Sequence, residues 1–271
     1  MLEPGFLAYL VMKIRLDKLV VDRALAASRE RAQALILAGR VLVEEQKIDK
    51  PGTPVEQDAN LRLLGSDLRY VSRGGLKLEA ALKHWAIDLT GLACLDIGAS
   101  TGGFTDCMLQ HGAASVLAVD TGYGQIAQKL RDDPRVALRE RCNARLPAPG
   151  ELVAEAKDAT FLAMDVSFIS ATLVLPAVLK AAAPGETLWT GTAVLLVKPQ
   201  FEAGREAVGK GGIVRTPEAR QFAIDRVHDC VLACGGHHTA IIDSPIHGME
   251  GNHEYLLYAQ FGETVQLARV H

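Results

Sequence analysis

Leu92-Ala-Cys-Leu-Asp96-Ile-Gly98-Ala99-Ser100-Thr101-Gly102-Gly103-Phe104-Thr-Asp-Cys-Met-Leu109 is the stretch that decides the fold. An apolar run ending in Asp96 reads as a buried parallel strand, and the small residues after it as a tight turn into a helix beginning near Phe104. Glycines at 98, 102 and 103 allow backbone to approach a ligand, and the free amides at a helix start offer donors. The spacing Asp-x-Gly-x-x-x-Gly-Gly differs from the Gly-x-Gly-x-x-Gly of dinucleotide binders, whose glycines sit closer to receive a pyrophosphate. A carboxylate at the strand end suits a ligand that carries a cation. A purely structural turn, or a different nucleotide, would also use a strand, an acid and glycines.

The loop resembles the first motif of S-adenosylmethionine-dependent methyltransferases. That resemblance implies that Asp96, Gly98, Ala99, Ser100, Thr101, Gly102, Gly103 and Phe104 face the methionine part of the cofactor. Further along, Ser115–Val119 reads as a second strand ending at Asp120, placed to accept from ribose hydroxyls, and Val136–Arg139 as a third, followed by Asn143. Phe161–Met164 gives a fourth strand ending at Asp165, and Ala193–Val197 a fifth ending at Lys198. His238–Asp243 and Glu254–Phe261 complete seven. Each of the first five ends in a polar residue on one rim, where open α/β sheets bind ligands. A helix is expected from Leu76, with Lys77 in its first turn, where the helix dipole disfavours a cation. Another runs from Thr216-Pro217 to Gly235.

The chain has 271 residues, 49% hydrophobic and 23% charged, enough for a medium α/β domain and a small companion. Its net charge of −3 is unevenly placed: residues 13–83 carry 14 basic against 10 acidic side chains, and residues 84–271 carry 15 against 21. A basic amino-terminal part on an acidic body points to a polyanionic partner for the small part alone. Five cysteines lack the density and even count of a secreted disulfide scaffold, which fits a reducing cytoplasm. Residues 1–12 have no basic start and no cleavage site, and are expected to be a disordered extension before Lys13. The longest apolar stretch, 159–183, is broken by Asp165, Pro176 and Lys180, so no stable membrane association is expected.

From Lys13 apolar residues recur at helical spacing, and Ser28 caps a second helix that Gly39 ends. Val41–Val43 and a segment around Val55 read as short strands. Arg15-Leu-Asp-Lys18-Leu, Ser28-Arg29-x-x-Ala and Gly-Arg40-Val-x-Val together resemble the S-four (alpha-L) RNA-binding module. That resemblance covers about residues 13–62, leaving 63–75 as a linker and 76–271 as the second domain. Arginines beside a helix start suit phosphates and RNA shape, so Arg15, Lys18, Ser28, Arg29, Arg31, Arg40 and, in the linker, Arg73 are the candidate RNA contacts.

Two patterns are set aside. Gly204-x-x-x-x-Gly209-Lys210-Gly211 lacks the Ser/Thr of a phosphate-binding loop and follows no strand directly; it is expected to be a loop over the site. Cys230 and Cys234 lie one helical turn apart with no second ligand pair at finger spacing, so no metal site is expected.

A ribose hydroxyl is a poor nucleophile at neutral pH. Methylating it requires a group to take its proton while oxygen, methyl and sulfur align. Amines and carboxylates clustered in a dry cleft can create such a group. Lys77, Asp165, Lys198 and Glu254 come from four distant points, each at an element end that α/β order brings to one cleft. Ser-Arg-Gly-Gly-Leu-Lys77-Leu, Met-Asp165-Val-Ser-Phe, Val-Lys198-Pro-Gln-Phe-Glu and Gly-Asn-His-Glu254-Tyr, with the glycine loop, resemble the TlyA family. Its members join an alpha-L module to an FtsJ-like, Rossmann-like seven-stranded methyltransferase domain.

The resemblance implies S-adenosylmethionine as cofactor and 2′-O-methylation of cytidine in 16S and/or 23S ribosomal RNA, with ribosomal subunits as partners. It places a catalytic Lys-Asp-Lys-Glu tetrad on these four residues, with Lys198 on the hydroxyl, Asp165 and Glu254 orienting, Lys77 tuning the field, and Asp165 also near the cofactor. Members of the family are also called haemolysins. A membrane-active protein, or an RNA-binding protein without activity, are the competing expectations; the first lacks an uninterrupted apolar segment and the second has no need of all four tetrad residues.

Overall fold

The computed structural model describes residues 13–262 except 24, 27, 65–68, 144, 146–147, 149, 157, 184, 186 and 249–250; the extension 1–12 lies outside the described residues. The chain divides into two compact units, 1–68 and 69–271.

In the first unit, Lys13–Arg15 is a short strand (β1), and helical structure begins only at Leu16, as α1 (Leu16–Asp22). The helical spacing read from Lys13 is overruled because these three residues find an extended partner in Pro54–Glu56. Helix α2 (Arg29–Leu37) follows, its Ser28 hydroxyl accepting from the Arg31 amide at 3.2 Å. Such a cap is worth about 1 kcal/mol. Strands β2 (Val41–Val43), β3 (Gln46–Lys47), β4 (Pro54–Glu56) and β5 (Leu61–Leu63) complete the unit. Val41–Val43 pairs with Gln46–Lys47 and Leu61–Leu63 rather than with the Val55 segment, which belongs to β1. Leu16, Leu19, Leu35, Ile36 and Val41 form the core.

At its edge Asp17 is fully buried and accepts from Arg15 (3.0 and 2.8 Å), Arg29 Nε (3.1 Å) and Gln33 Nε2 (2.9 Å). Hydrogen bonding to Arg15, foremost among these contacts, holds its carboxyl well below the usual carboxylate range.

The second unit runs α3 (Gly74–His84), β6 (Ala93–Ile97), α4 (Gly103–Gln110), β7 (Ser115–Val119), α5 (Gln128–Arg131), β8 (Val136–Arg139), α6 (Val153–Ala156), β9 (Phe161–Met164), α7 (Ala171–Ala182), β10 (Gly191–Val197), α8 (Pro199–Glu202), α9 (Pro217–Ala233), β11 (His237–Asp243) and β12 (Tyr255–Phe261). Its seven strands lie in the order β11-β12-β10-β9-β6-β7-β8, all parallel except β12, which is antiparallel to both neighbours. Alternate residues of β6 go to opposite cores: Leu95 and Ile97 face α7 and α9, while Cys94 faces α3 and α4. Burial on both faces explains why these strands read as continuous apolar runs.

This topology positions the site. The chain builds β6, β7 and β8 outward in one direction, then returns to lay β9 against the other side of β6, so a crevice opens at the carboxyl ends of β6 and β9. Because β12 runs antiparallel, with Tyr255 opposite Val197, the residue before β12 shares a rim with the residue after β10.

Candidate functional site

A cavity of about 550 Å³ opens on that rim, within the 300–1,000 Å³ usual for small-molecule sites. Four chain segments converge on it: Ser72–Lys77 from the start of α3, Gly98–Phe104 after β6, Asp165–Phe168 after β9, and Lys198–Phe201 after β10, with Asn252 and Glu254 arriving ahead of β12. Lys77 and Glu254 form an ion pair between buried side chains, only 11% and 2% exposed. The Lys198 ammonium lies 2.6 Å from Asp165 Oδ1 and donates to Ser167 Oγ, also at 2.6 Å. The contact to Asp165 is therefore Coulombic, while the directed hydrogen bond goes to the serine. All four residues singled out for chemistry line one cavity, as two cation–carboxylate pairs.

The turn after β6 is built around Gly98 at φ +88°, where a Cβ would press on the Asp165 carbonyl oxygen at 2.5 Å. Only a glycine lets the two strand ends approach this closely. Gly98, Ala99, Ser100, Thr101, Gly103 and Phe104 form cavity wall; Asp96, Gly102, Asp120 and Asn143 do not. Asp120 is occupied in bracing the turn, accepting from the Ser100 amide at 2.8 Å and the Gly122 amide at 2.6 Å. Asn143 is exposed and accepts from the Arg145 amide. Gly102, at φ +92°, packs its backbone against Leu130 and Ile126.

Asp96 sits fully buried behind the turn, with Thr105 Oγ1 donating to its Oδ2 at 2.6 Å and Oδ1 unpartnered. Burial, reinforced by the charges of Asp165 and Asp120 and opposed by Thr105, pushes this carboxyl up to about 7. Between about pH 4 and pH 7 the folded protein thus retains a proton that an ordinary carboxyl in the unfolded chain has lost, so this group's contribution to stability falls as pH rises through that window. Asp96→Asn, which cannot titrate, is expected to show a flatter dependence of Tm on pH from 4 to 7 than the parent protein; parallel curves would contradict the assignment.

Several wall residues carry no signal of their own in the sequence. Ser167, Phe168, Gln200, Phe201 and Asn252 all line the cavity. They lie inside the very motifs quoted for Asp165, Lys198 and Glu254, so adjacency to a strand-end charge was the usable clue. Asn252 fastens residues 212–214 to this wall: its Oδ1 accepts from Val214 N at 3.0 Å and its Nδ2 donates to Gly212 O at 2.9 Å. The Gly204–Gly211 pattern thus leads into a tethered segment, and Val208 of the pattern and Gly212 of the segment both border the site.

In the first unit, Arg15, Lys18 and Arg29 are exposed, although Arg15 and Arg29 also neutralise Asp17. Arg40 Nε donates to Leu64 O at 3.0 Å. Arg73 belongs to the second unit, exposed at the cap of α3 and on the cavity wall. Among the described residues no group of three or more His, Cys, Asp or Glu side chains converges as a metal site, and no helix is long and apolar enough to cross a membrane.

The family model for FtsJ-like methyltransferases matches residues 70–261, and that for the S4 domain matches residues 14–61. The 16S/23S rRNA (cytidine-2′-O)-methyltransferase TlyA of Mycobacterium tuberculosis is 42% identical over 247 residues, covering 91% of this chain and 89% of that protein. This chain belongs to the TlyA family. YqxC of Bacillus subtilis, 47% identical over 246 residues, covers 91% of this chain and 85% of its own length. A solved structure from Streptococcus thermophilus, titled as a haemolysin, is 40% identical, covers 94% of this chain and 90% of that one, and superposes with a TM-score of 0.69. As a TlyA-family enzyme the protein is a methyltransferase whose cofactor is S-adenosylmethionine. The bare backbone at Gly98 and the cavity wall it joins fit such a ligand.

Proposed function

We propose that this TlyA-family protein methylates the ribose 2′-hydroxyl of cytidine in ribosomal RNA, on the small subunit, the large subunit or both, in the cytoplasm. The observation that carries the reading is the convergence of Lys77, Asp165, Lys198 and Glu254 on one cavity at the crevice between β6 and β9. The name of the M. tuberculosis relative supports the choice of substrate.

The cofactor supplies an electrophilic methyl group on a cationic sulfur. Gly98–Phe104 would hold it against the ends of β6 and β9. Lys198, placed by Asp165 and Ser167, would first give up one ammonium proton to solvent; its free amine then takes the hydroxyl proton as the ribose oxygen bonds the methyl carbon and the methyl–sulfur bond breaks, the cofactor leaving as a neutral thioether. The Lys77–Glu254 pair sets the field beside it and keeps the α3 end of the wall in register with β12. Holding nucleophile and base in line contributes to the rate beside the proton transfer itself. Residues 13–62 would hold RNA, and the linker expected over 63–75 shortens to the residues before Arg69, where the methyltransferase unit begins. Phosphates would meet Arg15, Lys18, Arg29, Arg31, Arg40 and the amide end of α2 behind Ser28, and Arg73 would meet them at the cavity mouth.

Transfer of label from S-adenosylmethionine to purified ribosomal subunits tests the activity; label on neither subunit contradicts it. A second test addresses the module. In the full chain, Arg29→Ala with Arg31→Ala is expected to weaken RNA binding and to lower the slope of log affinity against log salt by about 1 to 2. An unchanged slope would remove this face from the RNA interface.

A further inference from the structure

Asp17 lies in the first turn of α1 and is fully buried. Sealing a carboxylate from water is costly unless opposite charge and hydrogen bonds compensate it. Here the compensation comes from side chains that stand on the RNA-facing candidates' own surface. Arg15 grips both oxygens, Nε to Oδ1 at 3.0 Å and Nη2 to Oδ2 at 2.8 Å. Arg29 Nε reaches the same Oδ2 at 3.1 Å, and Gln33 Nε2 donates there at 2.9 Å. Two guanidinium groups therefore meet at a single oxygen although each carries a full positive charge. Arg15 is the cap residue of α1 and Arg29 the first residue of α2, so the acid ties the starts of two helices together.

Both arginine side chains remain about half-exposed. A guanidinium carries five N–H donors in a planar fork. On the acid, Arg29 spends only its Nε donor and Arg15 one donor each from Nε and Nη2, so each retains donors for a phosphate. We infer that Asp17 is a positioning residue for RNA: it clamps Arg15 and Arg29 together, so that they meet the phosphate backbone as one fixed pair. This deepens the function proposed above and rests on its assignment of RNA to residues 13–62. Two unanchored arginines would repel each other and would have to be ordered as a phosphate binds; the carboxylate has ordered them beforehand.

The consequence runs against charge counting. Neutralising an acid on a face that binds a polyanion ordinarily strengthens the attraction. Neutralising Asp17 weakens it. The test measures binding of the full chain to purified 16S and 23S ribosomal RNA at one fixed salt concentration. Asp17→Asn, which keeps the side chain's shape, is expected to bind about 3- to 10-fold more weakly than the parent, the ordering cost of one or two long side chains. Asp22→Asn, which removes an exposed acid from the end of the same helix, should bind as tightly as the parent or more tightly.

A mutant cycle separates positioning from support of the fold. Because Asp17 acts through the two arginines, Asp17→Asn should weaken binding no further in a protein that already carries Arg15→Ala and Arg29→Ala. An acid that merely supported the fold would cost affinity there too, through Lys18 and the amide end of α2. Arg29→Lys keeps the charge and leaves the carboxylate its Arg15 partner, so it tests the clamp even where Asp17→Asn fails to fold. An ammonium has no planar fork to divide between acid and phosphate, and binding should fall about threefold.

Equal or tighter binding by Asp17→Asn, a further loss in the protein lacking both arginines, or full affinity in Arg29→Lys overturns the inference and leaves the functional reading standing. A parent protein that binds neither RNA overturns the assignment of RNA to the first unit, and this inference with it.

Discussion

Lys198→Ala is expected to slow methyl transfer by about a thousandfold, the middle of the range for a positioned proton-transfer group, while leaving S-adenosylmethionine bound. The ammonium is held from two sides, by the Asp165 carboxylate and the Ser167 hydroxyl, each at 2.6 Å, so the lysine is aimed rather than merely nearby. Alanine removes the amine that accepts the proton during transfer and, in the resting protein, leaves Asp165 without its cation. Because the cofactor is itself cationic, an unpaired carboxylate beside it gives no reason for weaker binding. Single-turnover transfer and calorimetric cofactor affinity, measured on the same preparation, separate the two effects. Activity retained within a few-fold would move the base role to another group, and loss of cofactor binding would make Lys198 a binding residue instead.

The second large effect concerns the other pair. Glu254→Ala leaves the Lys77 ammonium buried with no counter-charge, and breaking a buried pair from one side costs about 3–5 kcal/mol. Replacing both members, as Lys77→Met with Glu254→Leu, removes the uncompensated charge and fills similar volume. That double variant is expected to recover stability to within about 1–2 kcal/mol of the parent. It should nonetheless remain inactive, because the field beside Lys198 is gone. Denaturant unfolding and methyl transfer on the same three proteins check this. If the double variant is as unstable as the single one, the pair is holding the wall together through packing that its charges do not explain. If it regains activity, the pair is structural and the catalytic unit shrinks to Lys198 and Asp165.

The parallel strands were legible because burial on both faces writes them as unbroken apolar runs: Phe161–Met164 and Ser115–Val119 are found where they were read. The rim was legible for a related reason, since a parallel strand that ends in Asp or Lys declares which end faces solvent. Glu254 is the informative case. It precedes its strand instead of following it, and it reaches the same rim only because β12 runs antiparallel, a fact of pairing that no local pattern carries. The short pieces of the first unit were harder, because three residues such as Lys13–Arg15 adopt whichever structure their partner dictates. Burial of acids was illegible too. Asp17, inside the Arg15–Lys18 segment, carries no reading of its own in the sequence, and Asp96 at a strand end reads as a carboxylate available to a ligand. Yet the first is consumed by three side chains of its own unit, and the second is sealed behind the turn that it precedes.

Two cation–carboxylate pairs at one strand rim, Lys77–Glu254 and Lys198–Asp165, are assigned here to ribose methylation. The most direct test is to digest ribosomal RNA from subunits treated with the protein and S-adenosylmethionine down to nucleosides, and to identify the methylated product by mass. The expected product is 2′-O-methylcytidine, present with the parent protein and absent with Lys198→Ala. A base-methylated nucleoside, or 2′-O-methylcytidine formed equally by both proteins, would contradict it.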